Sequence, residues 1–291
     1  MRFVQLSSGR FDGRLTDIRL DRMQLLRDVA NASLAKQGSA PSGALVFNLP
    51  MDAHGEGRFA GRALTFPTCI VSGSELSELC SPRRLDLVCI AVERRWLLEM
   101  AENQGRASAA RRLRKIQPFL YGDTARMWPL KTAVSNIFAD LPVLARALDQ
   151  AASRLAIENE IADLLLDILS EDEERLCIDT PQKRIAEKAR AYVMDNAELQ
   201  PSVDDICRHA GVSRRKLQNC FHDTFGFSPT QFLRTMRLDR VRRDLRAAGR
   251  GPVSIGDIAA RWGFWHWSRF ANEYRALFGE LPSETLRRPR D

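Results

Sequence analysis

The stretch GFWHWSRFANEYRALFGELP, residues 263–282, sets a glycine turn before a short amphipathic run, and a stretch of the same design lies upstream. At a shift of 52 residues, Val203-Asp204-Asp205-Ile206 matches Ile255-Gly256-Asp257-Ile258, and Gly211 matches Gly263. Past the turn the shift becomes 53: Leu217 matches Phe270, Asn219 matches Asn272, Phe221 matches Tyr274, Phe225-Gly226 matches Phe278-Gly279, and Pro229 matches Pro282. Self-similarity at a fixed spacing marks a duplicated structural unit. The second copy carries one extra turn residue.

Both copies carry helix punctuation. Ser202-x-x-Asp205 and Ser254-x-x-Asp257 fit a capping box in which Asp replaces the usual Glu. Each predicts a short helix closing at Gly211 or Gly263, since glycine tolerates the left-handed backbone of a tight turn. Second helices follow over Arg214–Phe225 and Trp267–Phe278. Two short helices joined by a glycine turn make a helix-turn-helix, here at about 203–225 and 255–278. Ser228-Pro229 opens a longer connecting helix to about Ala248. Ile206, Ala210, Leu217, Phe221 and Phe225 form the expected core of one unit, and Ile258, Trp262, Phe270, Tyr274 and Phe278 that of the other.

In such a unit the N-terminal part of the second helix enters the major groove of DNA. The outward residues there are Arg214, Arg215, Gln218 and Asn219 in the first unit. In the second they are His266, Trp267, Ser268, Arg269 and Asn272. Arg pairs with guanine, and Gln or Asn with adenine, through two hydrogen bonds. Trp267 makes no such pair; contact with a thymine methyl or sugar, and simple packing, are both open to it. For each residue a phosphate contact or plain solvent exposure competes, because half or more of protein–DNA hydrogen bonds go to the backbone. Lys216, Arg234 and Arg237 are candidates for phosphate contacts. The ordinary alternative for the connecting-helix arginines is a solvated basic face.

The charge distribution agrees. The chain is +7 overall, yet residues 181–291 hold 21 basic against 13 acidic residues, and residues 1–180 hold 23 against 24. A positive excess confined to one region fits a polyanionic partner.

At 291 residues the chain is expected to hold two domains. Residues 1 to about 92 read as short strands, with compact apolar runs at 44–49 and 85–92 and frequent Gly and Pro between them. That pattern predicts a small, cupin-like β-barrel or a sandwich. Residues 93–170 read as helical, 131–170 as a long glycine-free stretch. Leu141, Leu148 and Leu155 fall seven apart in it, and Ile161, Leu165, Ile168 and Leu169 continue an apolar face. Such a stripe suits a homodimer or the chain's own sheet. The expected plan is therefore α+β: an N-terminal domain over 1–170, a linker over 171–182, and an all-α DNA-binding domain over 183–291. No run reaches membrane-span length and no secretory signal is visible, so a cytoplasmic protein without a membrane partner is expected.

Residues 183–289 resemble the AraC/XylS family of transcription regulators. The resemblance rests on residues 263–282 and on the first unit's exit, Gly226-Phe227-Ser228-Pro229 with Phe232-Leu233-Arg234 and Arg237-Leu238. It implies an activator whose two recognition helices address successive major-groove segments of double-stranded promoter DNA. It also implies that residues 1–170 are a sensor or dimerisation domain, with RNA polymerase and a small-molecule effector as partners. The turn Phe264-Trp265-His266-Trp267 is similar to a branch containing ethanolamine-utilisation regulators. Many members carry Arg where Asn219 and Asn272 stand, which implies a different target sequence.

Three rival functions have sequence counterparts. A metal-dependent cupin enzyme needs clustered ligands, and residues 1–180 contain one histidine, His54. A DNA-repair methyl acceptor needs a reactive, metal-clustered cysteine; Cys69, Cys80, Cys89, Cys177, Cys207 and Cys220 show no Cys-x-x-Cys pair and read as small buried hydrophobes. No enzyme activity, metal or cofactor is therefore expected. A non-specific DNA-binding protein is the third rival, separable by competition against random DNA. Arg14, Arg58, Arg62 and Trp96 are candidates to face an effector, against ordinary surface or core roles.

Overall fold

The computed structural model describes residues 2–59, 62–64, 69–73, 75–114, 119–121, 124–170, 175–176, 180–248 and 254–287. The N-terminal part begins with strands β1 (Arg2–Gln5), β2 (Gly13–Arg19), β3 (Met23–Ala30), β4 (Leu34–Ser39), β5 (Ala44–His54) and β6 (Gly57–Phe59). It continues with β7 (Arg62–Leu64), β8 (Cys69–Ser72), β9 (Glu75–Cys80) and β10 (Arg84–Glu93). Helices α1 (Arg94–Asn103) and α2 (Ala107–Leu113), strand β11 (Phe119–Tyr121), and helices α3 (Thr124–Ala139), α4 (Leu141–Leu148) and α5 (Ala151–Leu169) follow, then the short strand β12 (Arg175–Leu176).

The strands form two antiparallel sheets, ordered β1-β4-β9-β6-β7 and β12-β11-β8-β5-β10-β3-β2. They face each other without closing into one hydrogen-bonded barrel, a cupin-like arrangement in an α+β chain. The two apolar runs become β5 and β10, neighbours at the centre of the larger sheet. Their unbroken hydrophobicity has a physical cause, because both faces are covered. Leu45, Phe47, Leu49, Val88, Ile90 and Val92 pack with Leu97, Leu130, Val134, Ile161 and Leu165 of the helices. Val46, Leu87 and Cys89 face Phe59 and Leu79 of the smaller sheet. Pro50, which lacks an N–H, sits where the β5–β10 register slips between Asp86 and Leu87. Buried Lys36 ties the sheets together through Asp28 at 2.6 Å.

The stretch 131–170 is three helices rather than one. Asp140 accepts from the Val143 N–H and starts α4, with Pro142 in its first turn, where proline suits a helix start and cannot prolong α3. The apolar stripe divides accordingly. Ile161, Leu165, Ile168 and Leu169 are buried against the chain's own sheet, whereas Leu141 and Leu155 are exposed.

The C-terminal part contains α6 (Pro181–Asp195), a 3-10 turn (Ala197–Leu199), α7 (Val203–Ala210), α8 (Arg214–Phe225), α9 (Pro229–Ala248), α10 (Ile255–Arg261), α11 (Trp267–Phe278) and α12 (Pro282–Arg287). The second helices of both units and the connecting helix have the expected bounds. Ser202–Asp205 and Ser254–Asp257 both form complete capping boxes. Gly211 is left-handed at φ 69°, and Gly263 at φ 82°. Helix α6 begins at Pro181, capped by Thr180, within the stretch expected as linker; most of 171–179, Cys177 included, lies outside the described residues. Among the described residues no helix is long and apolar enough to cross a membrane.

Candidate nucleic-acid interface

Helix α8 is held from beneath and open above. Leu217, Cys220, Phe221 and Phe225 are buried, and Phe221, Phe225, Phe227 and Phe232 form one aromatic cluster with centroids 5.2–6.0 Å apart. Ser213 caps the helix by accepting from the Lys216 N–H. Arg214, Arg215, Lys216, Gln218 and Asn219 are all exposed on the opposite face. Arg214 is not free, however. Its Nε donates to Asp204 Oδ1 at 2.6 Å, and this pairing holds the Asp204 carboxyl below the usual carboxylate range. Arg215, Gln218 and Asn219 therefore form the readily available polar set.

Helix α11 has a different surface. Phe270, Tyr274 and Phe278 are buried, and His266, Trp267, Ser268, Arg269 and Asn272 are exposed. His266 occupies the cap position without a side-chain cap bond. Trp267 is 54% exposed, yet its ring edge lies over Gly256: a Cβ there would come 2.0 Å from the indole. Packing and exposure thus coexist in this residue. Trp265, which the sequence reasoning did not place at the interface, is 72% exposed beside it. A large aromatic at a loop tip is the sequence signal that identifies it. Arg269 and Arg234 both pair with Glu273, bringing the connecting helix to the second recognition helix. Arg237 is half-buried and donates to the Gln200 and Pro201 carbonyls at 3.3 and 3.2 Å. Burial lowers its pKa, although a guanidinium stays charged at neutral pH. Of the three candidate phosphate contacts, Lys216 is exposed, whereas Arg234 and Arg237 are engaged by Glu273 and by the 200–201 carbonyls.

The opposite ends of both recognition helices meet the smaller sheet. Arg58 Nη1 donates to the Asp223 carbonyl near the end of α8 at 2.7 Å. The Gly9 N–H donates to the Ala276 and Leu277 carbonyls at 3.2 and 3.1 Å, and Gln5 Nε2 to Leu277 at 2.8 Å. Helix C-termini carry unpaired carbonyls, so these donors satisfy groups a helix leaves open. Leu6 and Cys80 join the hydrophobic core of the C-terminal part. Sequence patterning carries no signal for such contacts between distant segments. Arg58 thus reaches a recognition helix, and Trp96 lies under Arg22 at 5.5 Å. Arg14 is exposed, and the Arg62 side chain lies outside the described set.

Among the described residues, no group of three or more His, Cys, Asp and Glu is placed to hold a metal ion. His54 is exposed beside Asp52. Cys69, Cys89, Cys207 and Cys220 carry free thiols; burial pushes the Cys69 and Cys89 thiols up to about 12, leaving them protonated at neutral pH.

Two helix-turn-helix units on a shared helix, each with an exposed second helix, define a DNA-binding domain. The family model described as helix-turn-helix domain matches residues 206–288. The chain is 40% identical over 96 residues to the probable thc operon regulatory protein of Rhodococcus erythropolis, covering 33% of this chain and 29% of that protein. It is 36% identical over 101 residues to the XylDLEGF operon transcriptional activator of Pseudomonas putida, covering 35% and 32%. With the regulatory protein HrpB of Ralstonia nicotianae it shares 30% identity over 161 residues, 54% of this chain and 28% of that one. These matches span about three tenths of each relative's length. Among solved structures, a probable AraC family transcriptional regulator from Rhodopseudomonas palustris is 29% identical, covering 35% of this chain and 94% of that chain, with a TM-score of 0.33. Over residues 206–288 the chain is thus similar to a helix-turn-helix domain, and over 96 and 101 residues to the two operon regulators.

Proposed function

We propose that this protein is a sequence-specific transcription regulator of the AraC/XylS type. The observation that carries the reading is the pair of exposed recognition helices, α8 and α11, mounted on one connecting helix. Arg215, Gln218 and Asn219 read bases in one DNA segment; Trp267, Ser268, Arg269 and Asn272 address the next. Lys216 contributes a phosphate contact. Activation is the proposed sign of regulation, after the Pseudomonas putida activator it is similar to, with RNA polymerase as partner.

The N-terminal sheets are the proposed sensing or dimerising part, over about 1–170, joined to the DNA-binding part through a linker ending near 182. Leu141, Val143 and Leu155, all exposed, are the proposed surface for a second copy. Between the sheets lies a cavity of about 160 Å³ lined in part by Leu26, Ala40, Pro41, Val46, Cys89 and Ala91. Ligand pockets typically hold about 300–1,000 Å³, so an effector entering here parts the sheets. Movement of the smaller sheet passes to both recognition helices through Arg58, Gln5 and Gly9.

Methylation interference on DNA bound by the full chain tests the reading. Two interfering major-groove patches about 10 base pairs apart on one face are expected. One patch, or uniform interference, overturns it. Mapping bound sites across the genome tests the narrower branch resemblance: sites beside ethanolamine-utilisation genes support it, and their absence removes it.

A further inference from the structure

The segment before the first unit contains an unusual residue. Gln200 lies at φ 49°, ψ 54°, and is the one non-glycine with positive φ among the described residues. A side chain in this left-handed region is strained, so its persistence calls for compensating contacts. Three contacts converge on it. Its side-chain amide donates to the Arg261 carbonyl at 2.6 Å, at the C-terminal end of α10. Its own carbonyl accepts from Arg237 of α9. Its Oε1 would lie 2.5 Å from a Cβ at position 263, so Gly263 supplies both the turn and the room for this approach.

These contacts join parts that sequence order keeps 61 residues apart. The loop at 200–201 leads directly into α7, whereas Arg261 and Gly263 form the exit of α10 and lead to α11. Each unit also packs on α9. A helix alone, however, permits a unit to pivot about its contact. The Gln200–Arg261 bond adds a second attachment away from that helix, and Arg237 pins the same loop to α9. The Gln200–Arg261 bond links the two units directly, whereas α9 and the smaller sheet hold each unit separately.

We propose that Gln200 is a positioning residue that fixes the offset between the two recognition helices and thereby the spacing of the two DNA segments the protein accepts. The DNA consequence rests on the reading under Proposed function; the fixed offset itself does not. Gln200→Gly removes the amide while relieving the left-handed backbone. Gln200→Glu keeps the shape but loses the donor.

The test uses the full chain with spin labels, introduced as unnatural amino acids, in place of exposed His222 on α8 and Arg275 on α11. Wild-type protein gives one narrow distance distribution. Gln200→Gly and Gln200→Glu broaden it, while the Gly variant keeps or raises the unfolding midpoint. On DNA carrying both segments, inserting one base pair weakens wild-type binding about tenfold but the two variants much less, and affinity for a single segment is unchanged in all three. An unbroadened distance in both variants overturns the proposal. So does equal weakening on one and two segments, which marks a general structural role. If wild-type protein shows no sequence preference, the functional reading fails and the distance measurement alone decides the fixed offset.

Discussion

The two helix-turn-helix units share a backbone plan but are held together by different means. The first relies on its aromatic cluster, Phe221, Phe225, Phe227 and Phe232. The second adds a buried polar network. Arg242 and Glu280 pair at 2.9 Å, Thr285 donates to Glu280, Tyr274 and Thr285 hydroxyls lie 2.8 Å apart, and Arg242 sits over the Phe278 ring at 4.5 Å. Their faces differ as well: the first offers a capped helix with a polar reading set, the second an uncapped one beside two exposed tryptophans. A repeat therefore preserves backbone punctuation more strictly than the chemistry that stabilises it or reads DNA.

The largest effect is expected where the second unit departs from the first. Glu280→Ala leaves the Arg242 charge buried without its partner and should cost about 3–5 kcal/mol in denaturant unfolding. A loss under 1 kcal/mol would show that the polar network is dispensable. Gly256→Ala comes next. It drives a Cβ into the Trp267 ring, costing about 1–3 kcal/mol against a helix-propensity gain of about 1. A shifted tryptophan emission and weaker DNA binding are expected, with unchanged emission as the contrary result.

On DNA, Gln218→Ala and Arg215→Ala should each lose about 1–3 kcal/mol and relax preference at one position of the first segment. Replacing Lys216 should instead weaken all sequences alike and reduce the salt dependence. If Gln218→Ala leaves the preferred sequence intact, α8 is not the main source of base discrimination. Ser213→Ala should destabilise by about 1 kcal/mol, and His266→Ser should stabilise, because the second unit lacks the cap the first possesses.

The smallest effect concerns Asp204, whose carboxyl is held below its ordinary value chiefly by the hydrogen bond from Arg214. A depressed folded pKa gives stability that is complete above the unfolded value, about 3.9, and is lost as pH falls through the folded one. Asp204→Asn should flatten that acid dependence slightly and release Arg214 toward DNA. Titration of stability between pH 2 and 5 in both proteins checks the sign.

The repeat was legible because helix ends are local. Ser202, Asp205, Gly211, Ser254, Asp257 and Gly263 act within a turn of their own positions, so their spacing predicts helix bounds. The runs at 44–49 and 85–92 were legible as strands for the same reason. Their pairing was not, because Leu45 opposite Val92 depends on the whole sheet. The stripe from Leu141 to Leu155 reads as helical throughout, yet α4 ends at Leu148 and α5 opens at Ala151. Among candidate DNA contacts, exposure followed from helical phase. The engagement of Arg214 by Asp204, and of Arg237 by the 200–201 loop, joins different elements and leaves no periodic trace. Gln200 was hidden for the same reason.

Competition binding at fixed salt, with the full chain, its selected two-segment DNA and random DNA, addresses the central claim most directly. A true pair of reading heads predicts a preference of about 10³-fold or more for the selected sequence. A ratio near one, with the same affinity for random DNA, would contradict it and leave a non-specific polyanion binder in its place.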